Sequence, residues 1–283
     1  MVLKRILLGV LVVFIGGAAF SYYQLRSLGL IPRADYETQA PEVPAFTRPA
    51  ILVHSKTNGF IHKEAIPAGK AMLQRIADEN GWELYFTDNA AIHNTQDLNK
   101  FQAVVWNNVS GDVLTTEQRA ALKTWIENGG GWVGLHASGG DPSYQWQWYV
   151  DELIGAQFVG HTMAPQFQDA HVLVAESMPG ITAHLETPWV VPAEEWYAFA
   201  SNPRDKGYEI LLTLDESSYI TKGETFFGQD RMEGEHPITW RHLQGEGRVF
   251  YTAIGHQAAT YSIPGFQRMV SGALSWVGMP TAP

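Results

Sequence analysis

The sequence predicts an α/β fold: a parallel sheet with helices on both faces, extended by antiparallel strands. Three observations carry the expectation. Short apolar runs alternate with helix-periodic segments from Ala50 to Ser138. Strand-like runs then follow with few helices between them. An amphipathic segment, Pro264 to Gly278, closes the chain.

The elements follow in order. "AILVHS" (Ala50–Ser55) is a short apolar strand. The stretch from His62 to Asn80 places Ile66, Met72, Leu73, Ile76 and Ala77 near helical spacing, and Gly81 closes it. "WELYFTD" is the second strand. Helical or irregular chain from Thr95 leads to the third, "FQAVVWNN". Thr115 and Gln118 form a capping box ahead of the helix "EQRAALKTWIEN", which ends at Gly129. "GWVGLHAS" is the fourth strand. This alternation requires right-handed crossovers, and ligands in such sheets bind beyond the carboxyl ends of the strands. Later, "AHVLVAE", "EILLTLDE", "PITWRHL" and "GRVFYTAIG" read as strands of an antiparallel extension, with a hairpin at "LQGEGR". The closing helix turns Phe266, Met269, Val270, Leu274 and Val277 inward. No internal repeat is present, and residues 50–283 read as one domain.

The N-terminus reads differently. Lys4 and Arg5 precede an uncharged run from Ile6 to Tyr23. Its length borders on both a signal peptide and a spanning helix. Gly17-Ala18-Ala19 is a passable cleavage site, whereas Tyr22 and Tyr23 suit a membrane boundary. The reading taken is an anchor or signal over residues 1–29, a Pro-bearing linker over 30–49, and an exported domain. The domain is expected to be periplasmic or extracytoplasmic on an inner-membrane anchor, or secreted if the run is cleaved.

Composition excludes several classes. The 283 residues carry a formal net charge of -10, and no Lys/Arg run interleaves with aromatics, so nucleic acid is not an expected partner. There are no cysteines, which removes disulfides, thiolate metal sites and cysteine nucleophiles. Ten tryptophans offer flat faces for a sugar ring, among them Trp106, Trp146, Trp148 and Trp196.

Candidate chemistry gathers at strand ends. His54, Lys56, Thr57 and His62 follow strand one; Asn107, Asn108, Gly111 and Asp112 follow strand three. His136 and Ser138 end strand four, and His256 ends the last strand. His161, Glu194, Glu195 and His236 lie in later loops. Several histidines with a glutamate at one rim suit acid–base work or a metal site. No H-E-x-x-H or phosphate-loop motif is present, and His136 stands where the nucleophile elbow G-x-S-x-G has its first glycine, so Ser138 is not expected to be a nucleophile. Asp112 and Glu195 are a candidate carboxylate pair.

Together, "ILVHSKTNGFIH", "VVWNNVSGDVLTTEQRAALKTWIENGGGWVGLHAS", "EEWYAFASNPR", "LLTLDESSY", "HPITWRH" and "GRVFYTAIGH" resemble the ThuA, or trehalose utilisation, family from about Ile51 to Trp276. The resemblance implies a fold similar to class I glutamine amidotransferases, with a flavodoxin-like core and extra antiparallel strands. In that fold the elbow after a central strand carries a catalytic cysteine; here it carries His136 and Ala137, so amidotransferase chemistry is excluded. The family link is to catabolism of trehalose and related disaccharides, including keto-sugars. Positions matching the family pattern are Lys56, Thr57, His62, Gly111, Asp112, His136, His161, Glu195, Tyr197, His236 and His256.

The expected function is therefore an enzyme (hydrolase, lyase or isomerase) acting on a sugar or glycoside. His136, Glu195, Asp112 and His256 are the expected catalytic residues. Lys56, Thr57, His62, Gly111, Tyr197 and His236 would bind substrate. His136, His161 and His256 would hold a divalent ion such as zinc, if one is used. The alternative is a membrane-tethered carbohydrate-binding module without catalysis. A third reading uses the loop Ser143–Val150 as a protein contact in envelope sugar metabolism.

Overall fold

The computed structural model describes residues 2–142, 144–222, 231–232 and 234–280, with side chains from 13 onward. An N-terminal helix α1 (Val2–Ser27) precedes the domain. Among the described residues no helix is long and apolar enough to cross a membrane. The anchor expected over 6–23 rests partly on side chains 6–12, which lie outside the described residues.

The domain's first half alternates as its periodicity predicts. β1 (Ala50–His54) leads through α2 (Ala65–Asn80) to β2 (Glu83–Thr87), and α3 (Thr95–Leu98) precedes β3 (Ala103–Asn107). α4 (Thr116–Glu127) then leads to β4 (Gly131–Leu135). α2 ends at Gly81 in a left-handed cap, and both arms of the Thr115–Gln118 capping box are present at α4. The later strands are β5 (Phe158–Gly160), β6 (Gln168–Val174), β7 (Trp189–Glu194), β8 (Ala198–Phe199), β9 (Glu209–Leu214), β10 (Pro237–Gln244) and β11 (Gly247–Thr252). α5 (Pro264–Val277) closes the chain and buries Phe266, Met269, Val270, Leu274 and Val277 as expected.

The main sheet runs β2-β1-β3-β4-β11-β10-β9-β6-β7. Its first five strands are parallel, in the flavodoxin-like arrangement, and the rest antiparallel. β11 was grouped with the antiparallel extension, yet it runs parallel to β4 as the fifth strand of the core. The hairpin fixes only its direction relative to β10; its apolar run and the α5 helix packed on it place it centrally. β5, β7 and β8 are not anticipated from the sequence, because β5 and β8 are only three and two residues long and β7 lacks a clean alternation.

Residues 30–49, the expected linker, have no helix or strand but make several contacts with the domain. Asn58 Nδ2 donates to Asp35 O at 3.1 Å, and Gln118 Nε2 donates to Glu37 O at 2.6 Å. The Glu37 carboxylate pairs with Lys56, and Thr47 donates to Glu83. Proline content signalled a lack of regular structure here, but it says nothing about docking.

Two buried histidines pack together: His54 ends β1, and His93 follows the turn Ala90–Ile92. His93 donates from Nδ1 to Ala90 O at 3.0 Å and accepts at Nε2 from Trp106. Burial depresses His93 to about 4, and His54, edge-on to it at 4.6 Å, is also held well below the usual value by burial. Unfolded histidine titrates near 6.5, so between that pH and about 4 the unfolded chain takes up protons the folded chain refuses. Stability should therefore be full above pH ~6.5 and fall by about 1.4 kcal/mol per pH unit for His93 as pH drops toward 4. Urea denaturation at pH 7.0, 5.5 and 4.5 measures this. His93→Gln should flatten the slope by about one proton; an unchanged slope would contradict it.

Candidate active site

The loops after β1, β4, β7 and β11 converge on one buried cluster. His62 follows β1, His136 follows β4, Glu195 follows β7 and His256 follows β11. His62, His136 and Glu195 are buried and His256 partly so. One ligand atom from each can be chosen so that all lie within 4.8 Å of one another, and these four residues could hold a metal ion.

Local backbone explains how the side chains are aimed. Among the described residues, three non-glycine residues have positive φ: Asn108 at 57°, His136 at 45° and Ala193 at 48°. His136 and Asn108 follow the carboxyl ends of β4 and β3, and Ala193 immediately precedes the Glu194-Glu195 pair. At Ala193 the β6–β7 ladder shifts register, and the bulge turns Glu194 and Glu195 toward the cluster. Strained backbone persists where surrounding structure over-determines it, commonly at functional sites.

The hydrogen bonds set the proton positions. Ala253 O can only accept, so His136 Nδ1, 2.6 Å away, carries a proton. His136 Nε2 is then an acceptor, and Tyr197 Oη donates to it at 2.7 Å. Glu195 Oε2 lies 3.0 Å from His256 Nδ1 and 3.5 Å from His136 Nε2. Its Oε1 accepts from Gln166 Nε2 at 2.7 Å and faces His161 Nδ1 at 3.3 Å. Burial alone would raise the Glu195 carboxyl, but the His136 and His256 imidazoles beside it hold it well below the usual range. Burial, then the neighbouring His136 and His256, hold His62 well below its ordinary value. Burial, reinforced by Glu195, pushes the Tyr197 phenol well up.

Beneath the cluster, the wholly buried Glu194 carboxylate accepts from the backbone amides of Glu195, Gly255, His256 and Gln257. It also accepts from Thr260 Oγ1 at 2.6 Å. Glu194 thereby fixes the turn that presents His256. Phe60 and Phe167, both exposed, pack their rings on His256 at the rim, with centroids 6.4 and 4.9 Å away.

The expected site residues divide accordingly. His62, His136, Tyr197, Glu195 and His256 are brought together, and His161 touches Glu195 from outside. Asp112 is elsewhere: it pairs with Arg119 at 3.2 Å and accepts from the Gln145 amide. It is no carboxylate partner for Glu195. Lys56 is spent on Glu37, and Thr57 bridges Ser110 outside the cluster. Gly111, at φ +70°, permits close approach of two loops, since an added Cβ would meet Gly59 N at 2.6 Å. His236 is buried and contacts Tyr197 O at 2.9 Å, so it supports Tyr197 and offers no surface to substrate. Ser138 is buried and donates to Trp106 O, as expected of a non-nucleophile. Trp106 and Trp196 are core residues. Trp146 and Trp148 are half-buried beside Arg119 and Lys123, so none of the four stands exposed at the rim for a sugar. Ser143 of the expected contact loop lies outside the described residues.

Fold and site define an α/β protein with a flavodoxin-like core, whose strand ends carry a buried histidine–carboxylate cluster. The chain belongs to the ThuA family, described as trehalose utilisation, whose family model matches residues 50–277. Among solved structures, a ThuA-like protein from Bacteroides uniformis ATCC 8492 is 24% identical, with TM-score 0.70, over 86% of this chain and 97% of that one. A ThuA-like protein from Parabacteroides merdae ATCC 43184 is 16% identical, with TM-score 0.60, over 83% and 92%. A cytoplasmic protein from Salmonella typhimurium LT2 is 9% identical, with TM-score 0.53, over 81% and 99%. These likenesses are of fold. No curated protein matches the chain.

Proposed function

We propose that this chain is an enzyme of disaccharide utilisation that converts a sugar or keto-sugar as a hydrolase, lyase or isomerase. The observation that carries the reading is the convergence of His62, His136, Glu195 and His256 from four separate strand ends onto one buried centre. Such convergence at the carboxyl ends of parallel strands is where α/β enzymes place their chemistry. Family membership supports the sugar as substrate class.

The residues divide the work. Glu195, held ionised, and His256 beside it can take a proton from a sugar hydroxyl or an activated water. The Tyr197 hydroxyl, bonded to His136, can return a proton to a leaving or carbonyl oxygen. The Phe60 and Phe167 faces at the rim suit the apolar face of a pyranose. The basic pair Lys4-Arg5 before the uncharged run 6–23 supports an anchor that leaves the domain outside the cytoplasm; membrane fractionation of the native chain tests that. For the reaction, the full chain is incubated with trehalose and other disaccharides and with their keto derivatives, and products are followed by NMR. Product formation supports the enzyme; saturable binding without product from any of them would make it a binding module.

A further inference from the structure

We infer that His62, His136, Glu195 and His256 bind one divalent transition-metal ion, with the Tyr197 hydroxyl at the edge of its shell. The inference rests on the reaction centre proposed above and names the cofactor that centre uses.

Distances come first. His136 Nε2, His256 Nδ1 and Glu195 Oε2 stand 3.3, 3.5 and 3.0 Å apart. An ion with nitrogen and oxygen ligands at about 2.1 Å holds tetrahedral neighbours about 3.4 Å apart. Three donor atoms already stand at that spacing, and the full set spans no more than 4.8 Å, so a small inward movement of the His62 ring completes it.

Lone-pair direction comes second. Ala253 O holds the His136 Nδ1 proton and leaves a lone pair on Nε2; that lone pair accepts from Tyr197 Oη and would pass to the ion, releasing the phenol toward the ion's shell. A ligating imidazole commonly has its other nitrogen bonded to such a carbonyl. Gln166 holds Glu195 Oε1 and leaves Oε2 facing the histidines. Glu194 fixes the amides on either side of His256.

An independent observation is the state of His62. Its ring meets His136 and His256 edge-on at 4.8 and 4.6 Å, and its buried Nδ1 has no hydrogen-bond partner. Three imidazoles packed around one carboxylate leave nitrogen lone pairs facing each other, and a cation resolves that arrangement. Three nitrogens and one oxygen, with no thiolate, match a zinc, iron or nickel-like ion better than calcium or magnesium. Such an ion would polarise a substrate oxygen or activate a bound water, with Glu195 and His256 holding the ion, and the ion, not their lone pairs, lowering the barrier to proton loss.

The geometry also separates this set from a rival. His161 Nδ1 faces Thr162 O at 2.9 Å and so carries a proton; it props Glu195 from outside. Metal content of the full chain, measured by mass spectrometry after incubation with zinc, nickel or iron(II) and desalting, tests the inference. About one ion per chain is expected. His62→Ala and His256→Ala should weaken binding at least tenfold, and His161→Ala less than threefold. Cobalt(II) titration of the unmutated chain adds a readout independent of variant folding: visible absorption should saturate at one equivalent. No ion bound by the unmutated chain, or binding lost with His161 but kept without His62, overturns the inference. Sugar turnover in a metal-free chain would sink the metal alone; a bound ion without sugar turnover would sink the sugar reading alone.

Discussion

Replacing His136 by Ala is expected to cut sugar turnover by about three orders of magnitude. His136 is wholly buried, and its ring contacts Ala253, Tyr197, His256 and Glu195 at once. Truncation removes the acceptor for the Tyr197 hydroxyl and one of the two imidazoles that keep Glu195 ionised. It also leaves a cavity, at a cost of roughly 2–4 kcal/mol. Alanine keeps the Cβ, and His136 already holds φ +45°, so the strand-end turn has no new clash to relieve. His136→Gln, nearer in volume, should fold better and turn over no faster. Thermal melting beside kinetics separates the effects. A variant that melts near the parent and keeps more than a tenth of its turnover would remove His136 from the chemistry.

Glu194→Ala is expected to have the largest effect on stability. Four backbone amides and a hydroxyl would lose their acceptor in the interior. Buried donors left unpaired cost about 1–3 kcal/mol each, although water entering the space recovers part. A net loss of about 4–6 kcal/mol follows, enough to unfold many domains. Glu194→Gln keeps one acceptor oxygen and turns an amide group toward donors, so a loss of about 2–3 kcal/mol is expected, with turnover down about tenfold as His256 loses its fixed turn. Urea denaturation and kcat measured on both variants check this. A Glu194→Gln chain with parental stability and kcat would mean the carboxylate is a bystander.

Much of the fold was legible because its signals are local. The apolar runs of β1, β3 and β4, the Thr115–Gln118 box and the glycine after α2 report structure within a few residues of themselves. The direction of β11 was not legible, because it depends on which distant strand it meets. The site shows the same division. His62, His136 and His256 could be listed from strand ends, but their meeting depends on the order β1-β3-β4-β11. Sequence alone places His161 among the metal ligands and His62 among the substrate-binding residues; only the bond of His161 to Thr162 O and its place outside Glu195 argue for exchanging them. Glu194 was passed over beside Glu195, since two adjacent glutamates carry no mark of which faces the interior network; the bulge at Ala193 decides it. The placement of Asp112 and Lys56 outside the cluster is not legible in the sequence, because no motif signals their partners, Arg119 and Glu37.

The central claim is that the histidine–glutamate centre transforms a sugar. The most direct test is product formation by the native chain and by His136→Gln under identical conditions, across the disaccharides and keto-sugars that the native chain binds. The account predicts a defined product from at least one of them with the native chain and a loss of about a thousandfold in the variant. Equal turnover by both chains, or sugar bound and released unchanged by the native chain, would contradict it.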